Sequence, residues 1–112
     1  MKRKYILKKN WEFQKIIDSK KQFIFPTIIL YYKKSDSFQI GISIPKKFAI
    51  AVKRNYLKRQ IKSILDQIRP YNLSYEMILI VRKNYLNLNF LQKQQEIKKI
   101  IERISNGKEK IK

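Results

Sequence analysis

Cysteine and histidine are both absent from these 112 residues. Their absence removes disulfides, thiol nucleophiles, Cys/His zinc sites and the commonest general base in one step. Acidic residues are scarce, 8 Asp and Glu against 27 Lys and Arg, for a formal net charge of +19. Paired-carboxylate chemistry therefore has little to draw on, and no acids lie close together in the sequence. Two Gly and three Pro leave no room for a flexible linker or a repeat array. No stretch approaches the roughly 20 apolar residues of a membrane span. The basic start, Met1 to Lys9, lacks the apolar continuation of a signal peptide, so a cytoplasmic location is expected.

What remains is a chain that is 44% hydrophobic, enough for one core, in a length that suits a single domain spanning 1–112. Self-repulsion at this charge disfavours the compact state, and a polyanion is the natural partner that relieves it. Lysine bias accounts for part of the basic count but not for the shortage of acids.

The apolar pattern changes period along the chain. Asn10 and Glu12 suit the start of a helix that carries Phe13, Ile16 and Ile17 and ends near Ser19. Trp11 is read as packing on the side of that helix. Phe23 to Tyr32 is strand-like, with a break at Pro26. After a turn at Lys34 to Ser37, the alternating Phe38 to Ile44 reads as a strand hairpin-paired with the first. Val52 to Ile68 is a helix with a stripe of Leu57, Ile61, Ile64, Leu65 and Ile68, closed by Pro70. Glu76 to Arg82 reads as a buried central strand. Asn89 suits the cap of a last helix that buries Phe90, Ile97, Ile100, Ile101 and Ile104. Gly107 is its expected stop, and 107–112 a frayed basic tail. The fold class is α+β, helices on a mostly antiparallel sheet.

Function is concentrated in Lys46 to Lys62. On a helical wheel Asn55, Lys58, Arg59 and Lys62 fall within an arc of roughly 100° that is turned away from the apolar stripe. Side chains at i and i+4 stack about 6 Å apart, near the spacing of phosphates along a strand. Arg54 sits in the first turn, by the positive end of the helix dipole. Only six Arg occur in this lysine-rich chain, and two of them, Arg54 and Arg59, are here. A guanidinium offers the bidentate phosphate contact that Lys lacks. A run of charge is more often just a solvated helix face; the total charge and the Arg placement favour RNA contact.

These residues also carry a resemblance. Gly41-Ile42-Ser43-Ile44-Pro45-Lys46-Lys47, followed by Ala51-Val52-Lys53-Arg54-Asn55-Tyr56-Leu57-Lys58-Arg59-Gln60-Ile61-Lys62, is similar to the signature of the bacterial ribonuclease P protein family. Leu7 to Phe13, Leu30-Tyr31 and Ile80 to Lys83 match in order and spacing. The chain departs from the pattern at Tyr56, where Arg is frequent, at Lys62 in place of Arg, at Pro45 in place of Ser, and at Ile17 in place of an aromatic; a Gly frequent after the first helix is also missing.

The resemblance implies an α-β-β-β-α-β-α order with a left-handed β-α-β crossover. The third early strand would arise from the break at Pro26. It further implies a partnership with a catalytic RNA, which uses Mg²⁺ to remove the 5′ leader of precursor transfer RNA, with no catalytic residue, no directly bound metal and no obligatory protein partner for the protein. By the same resemblance Arg54, Asn55, Lys58, Arg59 and Lys62, flanked by Lys46 and Lys47, would meet RNA. Phe13, Ile17 and Tyr31, with Lys9 at the rim, would line a cleft for the single-stranded leader, although Phe13 and Ile17 read equally well as core. The alternatives are a ribosomal or other structural RNA-binding protein, a basic module for DNA or an anionic membrane, and a stand-alone nuclease.

Overall fold

The computed structural model describes the backbone of residues 1–7 and 10–110, and the side chains of 1–7 and 11–106. Three helices and four strands follow the order α1 (Asn10–Asp18), β1 (Gln22–Ile24), β2 (Ile28–Lys34), β3 (Gln39–Ser43), α2 (Ala51–Ile68), β4 (Tyr75–Val81) and α3 (Phe90–Lys110). Pro26 splits the first extended stretch into β1 and β2, and the Phe25 amide closes the turn on the Ile28 carbonyl at 2.8 Å. Lacking an N–H and fixed in φ, proline suits this bend and not a ladder position.

The sheet order is β1-β2-β4-β3. β4 runs antiparallel to β2, from Ile28 opposite Val81 to Lys34 opposite Tyr75, and parallel to β3, from Gln39 opposite Glu76 to Ser43 opposite Ile80. The hairpin expected between the first strand and Phe38–Ile44 therefore does not form; β4 lies between them. β4 is the most continuously apolar segment, and a central place is the one that covers both its faces and pairs both its edges. β3, with Gly41 and Ser43, takes the edge, and α2 makes the crossover from β3 to β4. The turn before β3 is tied instead to the approach to β4, Ser35 N–H to the Ser74 carbonyl at 3.0 Å.

One face of the sheet presents Ile28, Leu30, Ile40, Met77, Leu79 and Val81 to Leu57, Ile61, Ile64 and Leu65 of α2 and to Ile97, Ile100, Ile101 and Ile104 of α3. α2 ends where Arg69 turns left-handed (φ 56°), its N–H bonded to the Leu65 carbonyl, with Pro70 next. α3 begins on a reciprocal cap: Asn89 Oδ1 accepts from the Gln92 N–H at 2.8 Å, and Gln92 Oε1 from the Asn89 N–H at 3.0 Å. Gly107 does not stop α3, whose helical backbone continues to Lys110. A lone Gly in a helix costs only about 1 kcal/mol and does not end one by itself. Phe90 is 45% exposed, not buried, because the first residue of α3 overhangs α2. Trp11, expected to pack on the side of α1, is 60% exposed. A cap by Asn10 lies outside the described side chains.

Among the described residues, the opposite face is covered by α1 and Leu7. Leu7, Ile16 and Ile78 form a small core there, with Phe13, Ile17, Tyr31 and Ile80 half-buried against it. Among the described residues no helix is long and apolar enough to cross a membrane.

Candidate nucleic-acid interface

α2 starts with no side-chain cap and no acid in its first turn, so the positive end of its dipole is left uncompensated. A short 3-10 turn, Lys46–Phe48, leads into it and leaves both lysines exposed. Arg54 is half-buried, its Nε shielded from solvent without a hydrogen-bond partner; its backbone N–H closes the first turn on the Ile50 carbonyl. Asn55 and Arg59 are exposed, while Lys58 and Lys62 are half-buried.

The wheel placed these groups on one face, and the structure shows that the two edges of this face look into different depressions. Lys58 and Lys62 line a cavity of about 170 Å³ together with Leu7, Phe13, Ile40 and Gly41, where α2, α1 and β3 converge. Arg59 looks the other way, into an open groove toward α3. Among the described residues, neither these cations nor Lys46 and Lys47 form an ion pair; the pairs present there are the N-terminal ammonium with Asp66 and Lys99 with Glu96. The cationic surface is thus free to meet external anions.

Phe13 is both core and surface. An added Cβ on Gly41 would collide with the end of the Phe13 ring, so the glycine is what lets that ring lie on the sheet. The ring remains half-buried, as do Ile17 and Tyr31. Tyr31 lies opposite Ile78 across the strands. One register step further, Ile24, Ile29, Ile80 and Ser43 form a row across all four strands. That row is not sealed: Ile24 is 59% exposed, and the other three are half-buried. Arg82, exposed just past β4, donates from Nη1 to the Phe25 carbonyl at 3.0 Å and brings a cation to that end of the sheet. A shallow apolar floor thus runs beside α1, with Lys58 and Lys62 at one corner and Arg82 at another. Sequence reading found Phe13, Ile17 and Tyr31 but missed Ile24, Ile29, Ile80 and Ser43. Alternation marked their face, yet only the short reach of α1 reveals that it stays open. Lys9 lies outside the described residues.

Among the described residues, no group of three or more His, Cys, Asp or Glu that could hold a metal ion comes together. Leu57, Ile61, Ile64 and Leu65 of the α2 stripe are buried against the sheet.

Comparison with known proteins agrees with the motif. The family model for ribonuclease P matches residues 1–105. The ribonuclease P protein component of Mycoplasmopsis pulmonis is 54% identical over 98% of this chain and 100% of its own length. The structure of Staphylococcus aureus RNase P protein superposes with a TM-score of 0.80 at 29% identity, over 88% of this chain and 93% of that one. RNase P protein from Thermotoga maritima shares the fold, with a TM-score of 0.78 at 21% identity over 87% and 94%.

Proposed function

Because this chain belongs to the ribonuclease P protein family, we propose that it serves as the protein subunit of that ribonucleoprotein and holds a ribonuclease P RNA and the 5′ leader of precursor transfer RNA on two separate surfaces. The observation that carries this reading is the open floor beside α1, flanked by unpaired cations, in a chain that matches the family model over residues 1–105. A purely structural RNA-binding protein requires no such floor.

In this reading α2 addresses the RNA. Arg54, Asn55, Lys58, Arg59 and Lys62, with Lys46 and Lys47 before them, neutralise phosphates, and the released counterions favour association. The leader lies in the cleft. Phe13, Ile17 and Tyr31 offer ring and apolar surface on which bases stack without regard to sequence, as a substrate pool of varied leaders requires. The working place is the cytoplasm, and no second protein is needed to complete either surface.

Catalysis falls to the RNA. Mg²⁺ held by RNA and substrate would supply the activation of water there; among the described residues, the surface facing the RNA offers cations and an amide and no carboxylate cluster, which does not fit a resident metal site. The part of this chain is positional and electrostatic: it brings the leader and the RNA together and lowers the repulsion between their backbones.

The test is cleavage of precursor transfer RNA at low Mg²⁺, with ribonuclease P RNA present or absent. Cleavage that depends on the RNA and is stimulated by the protein is expected. RNA binding without stimulation sinks the reading in favour of a structural role. Arg59→Ala, at an exposed position, is expected to reduce stimulation at low Mg²⁺ while the protein stays folded; unchanged cleavage removes Arg59 from the interface.

A further inference from the structure

α2 has a second outward strip, next to the row of cations, that the reading above leaves unused. Tyr56 stands on it, 60% exposed. Across from it is Phe90, fixed at the head of α3 by the Asn89–Gln92 cap. With Arg59, Gln60 and Ser63 the two rings line an open groove of about 580 Å³. Gln60 Oε1 is shielded from solvent without a hydrogen-bond partner.

Two lysines flank this groove, Lys53 one turn before Tyr56 and Lys93 one turn after Phe90. Burial and the charge of Lys53 hold Lys93 below the usual lysine range, so the two charges feel each other. Among the described residues neither is in an ion pair. An occupant must therefore offer an aromatic or apolar face and a negative charge together. A second copy of this chain would bring another +19 and is repelled. A nucleotide supplies a π-face, a hydrogen-bonding edge and a phosphate in one unit.

We propose that this groove takes one unpaired nucleotide of the ribonuclease P RNA, its base stacked on Tyr56 and Phe90 and its phosphate held by Arg59. The proposal rests on the reading of the chain as the protein subunit and adds a base-stacking site to the phosphate contacts of α2. Gln60 and Ser63 lie where they meet the edge of the base, and turning the Gln60 amide into the groove gives its oxygen a partner.

The test uses the full chain and the full RNA at fixed salt, with affinity as the first readout. Tyr56→Leu and Phe90→Leu keep apolar bulk at exposed positions and are expected to weaken RNA binding about tenfold each, whereas Tyr56→Phe keeps the ring and stays within about twofold. The double variant should lose less than the product of the two, because both rings hold one base. Chemical probing should show one unpaired RNA nucleotide protected by the unaltered protein and open in the double variant. Full affinity in a folded Tyr56→Leu/Phe90→Leu protein overturns the proposal. So does a change of oligomeric state at unchanged RNA affinity, which makes the groove a protein contact. Failure of the unaltered protein to bind the RNA overturns the subunit reading first, and is told apart because it is read before any substitution.

Discussion

Beneath α2 and α3 the sheet is sealed: Leu30, Met77, Leu79 and Val81 have at most 1% of their surface exposed, and Ile61, Ile97 and Ile100 meet them from the helices with none. Beneath α1 burial of that completeness is confined to Ile16 and Ile78, and the neighbouring row of Ile24, Ile29, Ile80 and Ser43 stays open. The same four strands thus support two faces that differ in closure. A single helix of nine residues cannot cover a four-stranded sheet, so the face given to α1 stays partly open. The other face is covered by helices of 18 and 21 residues and supplies the cohesion.

If that division holds, truncations on the two faces must differ in size and kind. Ile61→Ala on the sealed face is expected to lose about 2–5 kcal/mol of unfolding free energy, the largest effect here, read as a lower urea midpoint. Ile17→Ala, already half exposed, should lose only about 1 kcal/mol. Equal losses would mean that the α1 face is core and not cleft. Tyr31→Ala sharpens the contrast from the side of function. It should weaken precursor transfer RNA binding by roughly 1–3 kcal/mol, leave the mature product unaffected, and change the urea midpoint little. Matching losses for precursor and product would detach Tyr31 from the leader.

Much of this was legible in the residues because local rules and packing agreed. The stripe Leu57, Ile61, Ile64, Leu65 and Ile68 lies on one side of a helix; the structure buries the first four and leaves Ile68 half-buried. Pro26 broke a strand where proline must, and Asn89 capped a helix as its side chain suggests. The misreadings concern matters that periodicity does not encode. Strand neighbours are one: β2 and β3 follow each other in sequence, but the demand of β4 for cover on both faces separates them. The reach of α1 is another, since four strands' worth of alternating residues look equally buried until the helix above them proves too short. Phe90 read as core by its spacing from Ile97, yet the first residue of a helix has no turn before it to tuck it in. The cation arc of α2 was found as a set, but its division between two depressions depends on what packs beside the helix, which no wheel contains.

The smallest expected effect tests how far the sealed face is only structural. Asn89→Ala removes the hydrogen bond that Asn89 Oδ1 accepts from the Gln92 backbone N–H, while the bond from the Asn89 backbone N–H to Gln92 Oε1 is retained. Stability should fall by about 1 kcal/mol, and Asn89→Ser, which keeps a capping oxygen, should recover most of it. The ring of Phe90 follows directly on that cap, so loosening the first turn of α3 also loosens one wall of the groove opposite Tyr56. RNA affinity should therefore drop in Asn89→Ala and return in Asn89→Ser, in step with the helix start. A stability loss with no loss of affinity would show that Phe90 needs no fixed position, and would return the whole RNA contact to the cations of α2.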